Sequence, residues 1–271
     1  MTGVGTYAYF VYFRACKNRA AGGSPEGYAT GCQKHVAMAF ILNIETSTAV
    51  CSVAVSDDKE VVFERCSYEP HSHASKLGVF VEEALEWMSG KGHGLSAVAV
   101  SGGPGSYTGL RIGVSMAKGL CFGYGVPLIS VPTLAVMASE AAPRVGEGVR
   151  YLCPMIDARR MEVYSAIYDR GLRLVREPRA EVVDAHAYDA YLGAPDARLC
   201  YFGDGADKCR DLFGSVEGIC FLDGIRPLAT GMAALSRQAY LAKRFEDVAY
   251  FEPFYLKEFQ ATVPKNKVQG Q

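Results

Sequence analysis

The sequence predicts a mixed α/β protein of two similar lobes. Three observations predict it. Short β-rich apolar runs alternate with segments of helical period along most of the chain. A Pro/Gly break at residues 142–150, "APRVGEGVR", is followed by a restart of the same coarse order. The 271 residues are 49 % hydrophobic, enough to bury a sizeable core in each half.

The elements follow in order. Residues 40–44 open as a strand, "ETST" turns, 50–55 alternate as a second strand, "DDK" turns again, and 60–68 return as a third. Residues 72–88 carry a helical period, 97–101 form a short buried strand, and 108–122 a second helix. "VPLISV" is the next strand and 133–142 the next helix. The order β-β-β-α-β-α-β predicts a lobe of the ribonuclease-H type over residues 38–145. Beyond the break, "YLCPMIDAR", "EVYSAIYD" and "RLVREPRAEVV" read as strands and "AYDAYLG" as a helix. "RLCYFGDGADKCRDLF" reads as strand, glycine turn and helix, and 230–244 as a closing helix. A second lobe with a C-terminal tail thus covers residues 146–271. Residues 1–37 stand apart, with "AAGGSPEGYATG" of linker composition. They are expected either as an appendage, disordered or translated from an upstream start codon, or as an extra strand over Tyr7–Phe13.

Charge and cysteine usage narrow the function. A net charge of −1 supplies no overall field toward nucleic acid or membrane. No apolar run approaches the roughly 18 residues of a membrane helix, and the N-terminus lacks the basic region of a signal peptide. None of the nine cysteines forms a Cys-x-x-Cys pair, and Cys51, Cys121 and Cys153 lie in apolar runs. This usage predicts a reducing compartment with neither a disulfide framework nor a zinc site.

The densest patch of special residues is "SGGPGSYTGLRIGVSMAKGL", residues 101–120. Its Gly103, Gly105 and Gly109 are spaced G-x-G-x-x-x-G, one residue longer than the dinucleotide fingerprint, and no Gly-Lys-Ser/Thr follows as in a P-loop. A strand, glycine turn and helix start can hold an anion on backbone N–H groups. Equally, the glycines allow close packing of helix on strand. Packing is the better reading. Glu45, Thr46 and Ser47 end the first strand, where a carboxylate could hold a metal-bound water or accept hydrogen bonds in the turn. With Gly103 and Gly105 they are the candidate cofactor contacts. His71 and His73 stand at i, i+2, so their rings diverge, and capping or solvation fits them better than metal. Asp157, Arg159 and Arg160 read as a local salt-bridge cluster. No catalytic residue is assigned.

The two helices of the first lobe are unusually apolar. In 72–88, Leu77, Phe80, Val81, Ala84, Leu85, Trp87 and Met88 span an arc of roughly 160°, wider than the ~100° stripe of a surface helix. In 108–122, Leu110, Ile112, Val114, Met116, Leu120 and Phe122 surround the axis, and Arg111, Ser115 and Lys118 leave one narrow polar stripe. Gly109, Gly113, Ala117 and Cys121 form a stripe of small residues. Such helices suit either a lobe core or a protein–protein interface.

Five stretches carry a resemblance: "ILNIETSTAVCSVAV", "HSHASKL", "VAVSGGPGSYTGLRIGVSMAKGLCFGYGVPLISVPTLAVMA", "PMIDARRMEVYSAIYD" and "EPFYLKEFQAT". Together they resemble the bacterial TsaB (YeaZ) family, from Met38 to Thr262. The resemblance implies the ASKHA (actin and Hsp70-like) ATPase fold of two ribonuclease-H-like lobes. It also implies a place in the pathway that installs threonylcarbamoyladenosine in tRNA. The catalytic paralogue, TsaD, carries a His-x-x-x-His metal pair that falls here at Thr133 and Met137, two residues unable to replace imidazoles as iron or zinc ligands. The implied role is therefore a non-catalytic partner of TsaD, without cofactor or metal of its own. ATP or ADP and a divalent metal are expected in the partner subunits. The implied partner face is Leu77, Phe80, Val81, Ala84, Gly109, Ile112, Gly113, Met116, Ala117 and Leu120, so Leu77→Glu or Gly113→Leu is expected to abolish assembly and leave the monomer folded. The ATPase TsaE is a further partner, tRNA is met only through the complex, and a homodimer through the same face is expected in the partner's absence. A cytoplasmic location follows. The rival expectation is an enzyme in its own right, a glycoprotease-like metallopeptidase or a nucleotide-binding ASKHA enzyme.

Overall fold

The apolar run at Phe40–Glu45 forms β1, the central strand of a five-stranded sheet. The computed structural model describes residues 38–193, 198–214 and 216–257; the expectations for residues 1–37 lie outside them. β2 (Cys51–Ser56) and β3 (Val61–Ser67) add to β1 as an antiparallel meander. β4 (Leu95–Ser101) and β5 (Leu128–Val131) add on its other side in parallel, giving the order β3-β2-β1-β4-β5. Each parallel crossover carries a helix, α1 (His73–Gly90) before β4 and α2 (Tyr107–Tyr124) before β5. Ser106 caps α2, its hydroxyl accepting from the Gly109 N–H at 3.3 Å, and Gly125, at φ 66°, ends it in the left-handed conformation.

The second half repeats this topology. β6 (Val149–Asp157) is central, β7 (Glu162–Asp169) and β8 (Leu174–Val182) pair antiparallel beside it, and β9 (Arg198–Phe202) and β10 (Ile219–Leu222) pair parallel on the other side. The order β10-β9-β6-β7-β8 is the first sheet's order read from the opposite edge. The chain is thus two ribonuclease-H-like lobes, as the sequence predicts and as the family resemblance implies for the ASKHA fold.

Strand alternation assigns the faces. Leu42, Ile44, Val53, Val55, Val98 and Val100 pack under α1 and α2, while Ile41, Ala97, Ala99, Ile129 and Val131 face the other way. Val136, which directly follows the last strand of this sheet, packs on that other face, and the rest of its cover comes from the far end of the chain: Met232 and α5 (Ala233–Leu241), with Ala239 buried. Conversely α3 (Thr133–Ala141), from the first half, lies on the second sheet, with Leu134, Met137, Ala138 and Ala141 against Leu152, Ile156, Ala166 and Phe202. A division of the chain at residues 145 and 146 is therefore a division in sequence but not in packing, because each sheet borrows a helix from the other half.

The second lobe corrects several element assignments. "AYDAYLG" makes only a 3-10 turn at Asp189–Tyr191. The helix expected before residue 214 is a 3-10 turn at Asp207–Cys209 running into the four-residue α4 (Arg210–Phe213). The helix expected over 230–244 is a 3-10 turn at Ala229–Met232 followed by α5, and it stops at Leu241. β10 is an additional strand.

Candidate functional site

The turn after β1 and the glycine block meet, and the meeting is made of backbone. The Ser106 N–H donates to the Ser47 carbonyl at 2.6 Å, and the Thr46 hydroxyl donates to the Gly109 carbonyl at 2.8 Å. A side chain at Gly105 would sit 2.8 Å from the Ser47 Cβ, and one at Gly109 would collide with the Thr46 carbonyl. Gly103 has φ 105°, a conformation L side chains rarely adopt, and its carbonyl accepts from the Thr133 N–H at 2.9 Å. The block is filled by the chain itself.

A strap missed by the sequence reading closes over it. Residues 246–257 leave the edge of the first sheet, where the Glu246 N–H donates to Leu128. They cross α2, where Lys118 Nζ donates to the carbonyls of Ala249 and Phe251 at 3.0 and 2.9 Å. The Phe254 N–H then donates to the Gly102 carbonyl at 2.7 Å, and the Tyr255 ring packs at a tilt against Tyr107, centroids 5.0 Å apart. Lys257 finally pairs with Glu162 on β7. The strap lacks regular secondary structure, so no hydrophobic period marks it.

Glu45, Thr46 and Ser47 are wholly buried. Glu45 Oε1 accepts from the Ser47 N–H at 2.6 Å, whereas Oε2 has no hydrogen-bond partner among the described residues. Burial pushes the carboxyl above its ordinary range, and hydrogen bonding from Ser47, Ser101 and Thr46 only partly offsets it. Such a carboxyl binds its proton more tightly folded than unfolded. Its stabilising contribution is present below the ordinary carboxylate range and is lost as pH rises through the folded value. Glu45→Gln is therefore expected to stabilise the protein by about 1–2 kcal/mol near neutral pH, a gain that fades in acid. Urea unfolding across a pH series checks this, and a less stable Gln variant at neutral pH would show that the carboxylate has a cationic partner.

Several groups that could hold an anion here are engaged within the chain. The Ser106 and Ser47 N–H groups already donate within the chain, and the Ser106 hydroxyl is committed to its cap. Among the described residues no three His, Cys, Asp or Glu side chains gather into a metal-binding group. Thr133 and Met137 stand one turn apart on α3, both wholly buried, and the Thr133 hydroxyl has no partner among the described residues. His71 is exposed, whereas His73 is buried with its Nε2 3.2 Å from the Val50 carbonyl. The cluster at Asp157 differs from expectation. Asp157 pairs with Lys208 at 2.5 Å, a residue the sequence reading missed, while Arg159 and Arg160 turn the chain at φ 69° and 53°.

The apolar helices divide into an inner and an outer set. Leu77, Val81, Ala84, Gly109, Gly113, Ala117 and Leu120 are buried against the protein's own sheet or turn, and so are not available to a partner. That corrects the predicted face. Their apolar arc is wide because each helix covers the sheet and its neighbouring helix at once. Phe80, Ile112 and Met116 remain half-buried at the rim of this core. Phe122, on the outside of α2, is 69 % exposed.

Comparison with known proteins gives concordant results. Residues 68–200 match the family described as TsaD, tRNA N6-adenosine threonylcarbamoyltransferase. The tRNA threonylcarbamoyladenosine biosynthesis protein TsaB of Escherichia coli K12 is 33 % identical over 224 residues, covering 80 % of this chain and 94 % of that protein. The protein of the same name from Bacillus subtilis 168 is 34 % identical over 128 residues, 47 % of this chain and 54 % of its own length. Among solved structures, YeaZ from Pseudomonas aeruginosa superposes with a TM-score of 0.67 at 24 % identity, over 81 % of this chain and 100 % of that one, a likeness of fold.

Proposed function

The chain belongs to the TsaB family, and from that premise we propose that it is a non-catalytic subunit of the machinery that makes threonylcarbamoyladenosine in tRNA, its task being to hold the catalytic paralogue TsaD. The observation that carries this reading is the outer face of α1 and α2. Phe80, Ile112 and Met116 form a half-buried apolar rim there, with the exposed Phe122 beyond it. Gly119 lies on the same helix with open space around it, so a partner helix can approach closely. The interior of the same lobe supports the negative half of the proposal: its glycine block is closed by its own chain, and Thr133 and Met137 are poor ligands. ATP or ADP and the divalent metal then belong to the partner subunits. TsaE and tRNA meet this subunit through the complex, in keeping with a net charge of −1.

Sedimentation of the full chain with TsaD from the same organism tests the reading. A heterodimer is expected. The double variant Phe80→Glu, Met116→Glu should weaken it about 100-fold or more, as expected for two apolar anchors at an interface. Its melting temperature should fall by only a few degrees, because both side chains already reach solvent. Separate sedimentation of the two wild-type proteins across micromolar concentrations would overturn the proposal. Self-association of this chain alone, lost in the same variant, would assign the face to a homodimer instead.

A further inference from the structure

Cys200 and Cys220 are direct Cα partners on the parallel neighbours β9 and β10. Side chains at paired positions project to the same face of a sheet, and both cysteines pack into the same apolar cluster beneath α3. Paired residues on neighbouring strands lie about 4.7–4.9 Å apart, inside the roughly 4.4–6.8 Å Cα separation that a disulfide accepts. Cys200 is buried and Cys220, on the outermost strand, is half-buried.

The other cysteines provide internal controls. Cys51 and Cys66 also lie on adjacent strands, but Cys51 faces Ser67 and Cys66 faces Ser52. That offset of one residue puts their side chains on opposite faces of the sheet, Cys51 buried and Cys66 exposed. Cys153 is buried on the central strand β6, and the Cys209 thiol donates to the Gly205 carbonyl at 3.7 Å.

We propose that Cys200 and Cys220 are a redox-active dithiol that closes into a reversible cross-strand disulfide. The attacking group is the Cys220 thiol. Hydrogen bonding from Cys200 draws its pKa below the ordinary thiol range, and the Arg198 guanidinium adds to this against the effect of burial. With a low-molecular-weight disulfide such as oxidised glutathione as oxidant, the Cys220 thiolate attacks one sulfur, breaks the S–S bond and releases one glutathione thiolate, which takes up a proton. The Cys200 thiol then gives its proton to solvent and attacks the Cys220 sulfur, expelling the second glutathione. Two protein thiols are oxidised and one glutathione disulfide is reduced to two thiols. A four-residue edge strand, hydrogen-bonded on one side only, can shift to meet the geometry.

The test uses the full chain, reduced, desalted, incubated with oxidised glutathione, alkylated in acid and mapped by mass spectrometry without reduction. The expected product is a peptide pair joined through Cys200 and Cys220 in large excess over every other linkage, released by dithiothreitol. Cys220→Ser should lose it completely, while Cys66→Ser should retain it. A lasting glutathione adduct on Cys220 with Cys200 still alkylated would overturn the proposal, as would linkages spread evenly among the cysteines. The wild-type map decides the matter even where a variant folds poorly.

Discussion

Leu77→Glu is expected to unfold the first lobe rather than detach a partner. Leu77 is 1 % exposed and packs with Val81, Ala84 and Met88 of its own helix in the cluster that includes Leu42, Val53 and Val98. A carboxylate there would sit among hydrophobic side chains. Loss of leucine packing and burial of an unpaired charge together should cost about 5 kcal/mol, a large part of a typical domain's stability. Urea unfolding followed by circular dichroism measures it. Gly113→Leu acts by overpacking: its Cβ would collide with the Thr46 hydroxyl and stand 3.5 Å from Val100. A Leu77→Glu protein of native stability that no longer bound TsaD would restore the whole predicted face.

The second large effect is at the ion network of the other lobe. Arg176 donates to Glu181 Oε1 at 2.5 Å and to the Ser165 hydroxyl at 2.5 Å, and Tyr188 donates to the same carboxylate oxygen at 3.1 Å. The Arg176 and Glu181 side chains are only 11 % and 13 % exposed. Glu181→Leu strands the guanidinium and should cost about 3–5 kcal/mol, whereas Arg176→Met with Glu181→Leu should recover most of it. Acid gives an independent reading. Burial alone would raise the Glu181 pKa, but the Ser165 hydrogen bond and the Arg176 and Arg179 charges outweigh it and hold the carboxyl below its ordinary range. A depressed carboxyl contributes stability fully above the ordinary glutamate range, and that contribution is lost as pH falls through the folded value. Wild-type stability should fall in acid more steeply than that of the double variant. Parallel slopes would show that Glu181 titrates like an exposed carboxylate.

The first lobe was legible because its central strands β1, β2 and β4 are mostly buried on both faces and α1 and α2 are long. Each of its element boundaries lies within two residues of the sequence reading. In the second lobe, "ICFL" is too short to separate from its surroundings, and "AYDAYLG" has a helical spacing but only one 3-10 turn of structure. Part of the expected partner face lies inside the lobe for a physical reason. A helix wedged between a sheet and another helix needs as wide an apolar arc as one that binds a partner, and only burial separates Leu77 from Phe80. The candidate site shows the reverse. The spacing of the glycine block favours packing over a known phosphate loop, yet nothing in the sequence announces that Ser47 and Phe254 would stand against its glycines.

The exchange of helices between the halves has a consequence for synthesis on the ribosome. The first sheet's strands are complete once β5 has emerged, and Val136 of α3 follows at once, but Met232 and Ala239, which complete the cover over Ile41, Ala97, Ala99, Ile129 and Val131, come roughly a hundred residues later. At about 5–20 residues per second, that apolar face lacks part of its cover for several seconds in every nascent chain. The first lobe is therefore expected to complete its core only near the end of translation, together with the second.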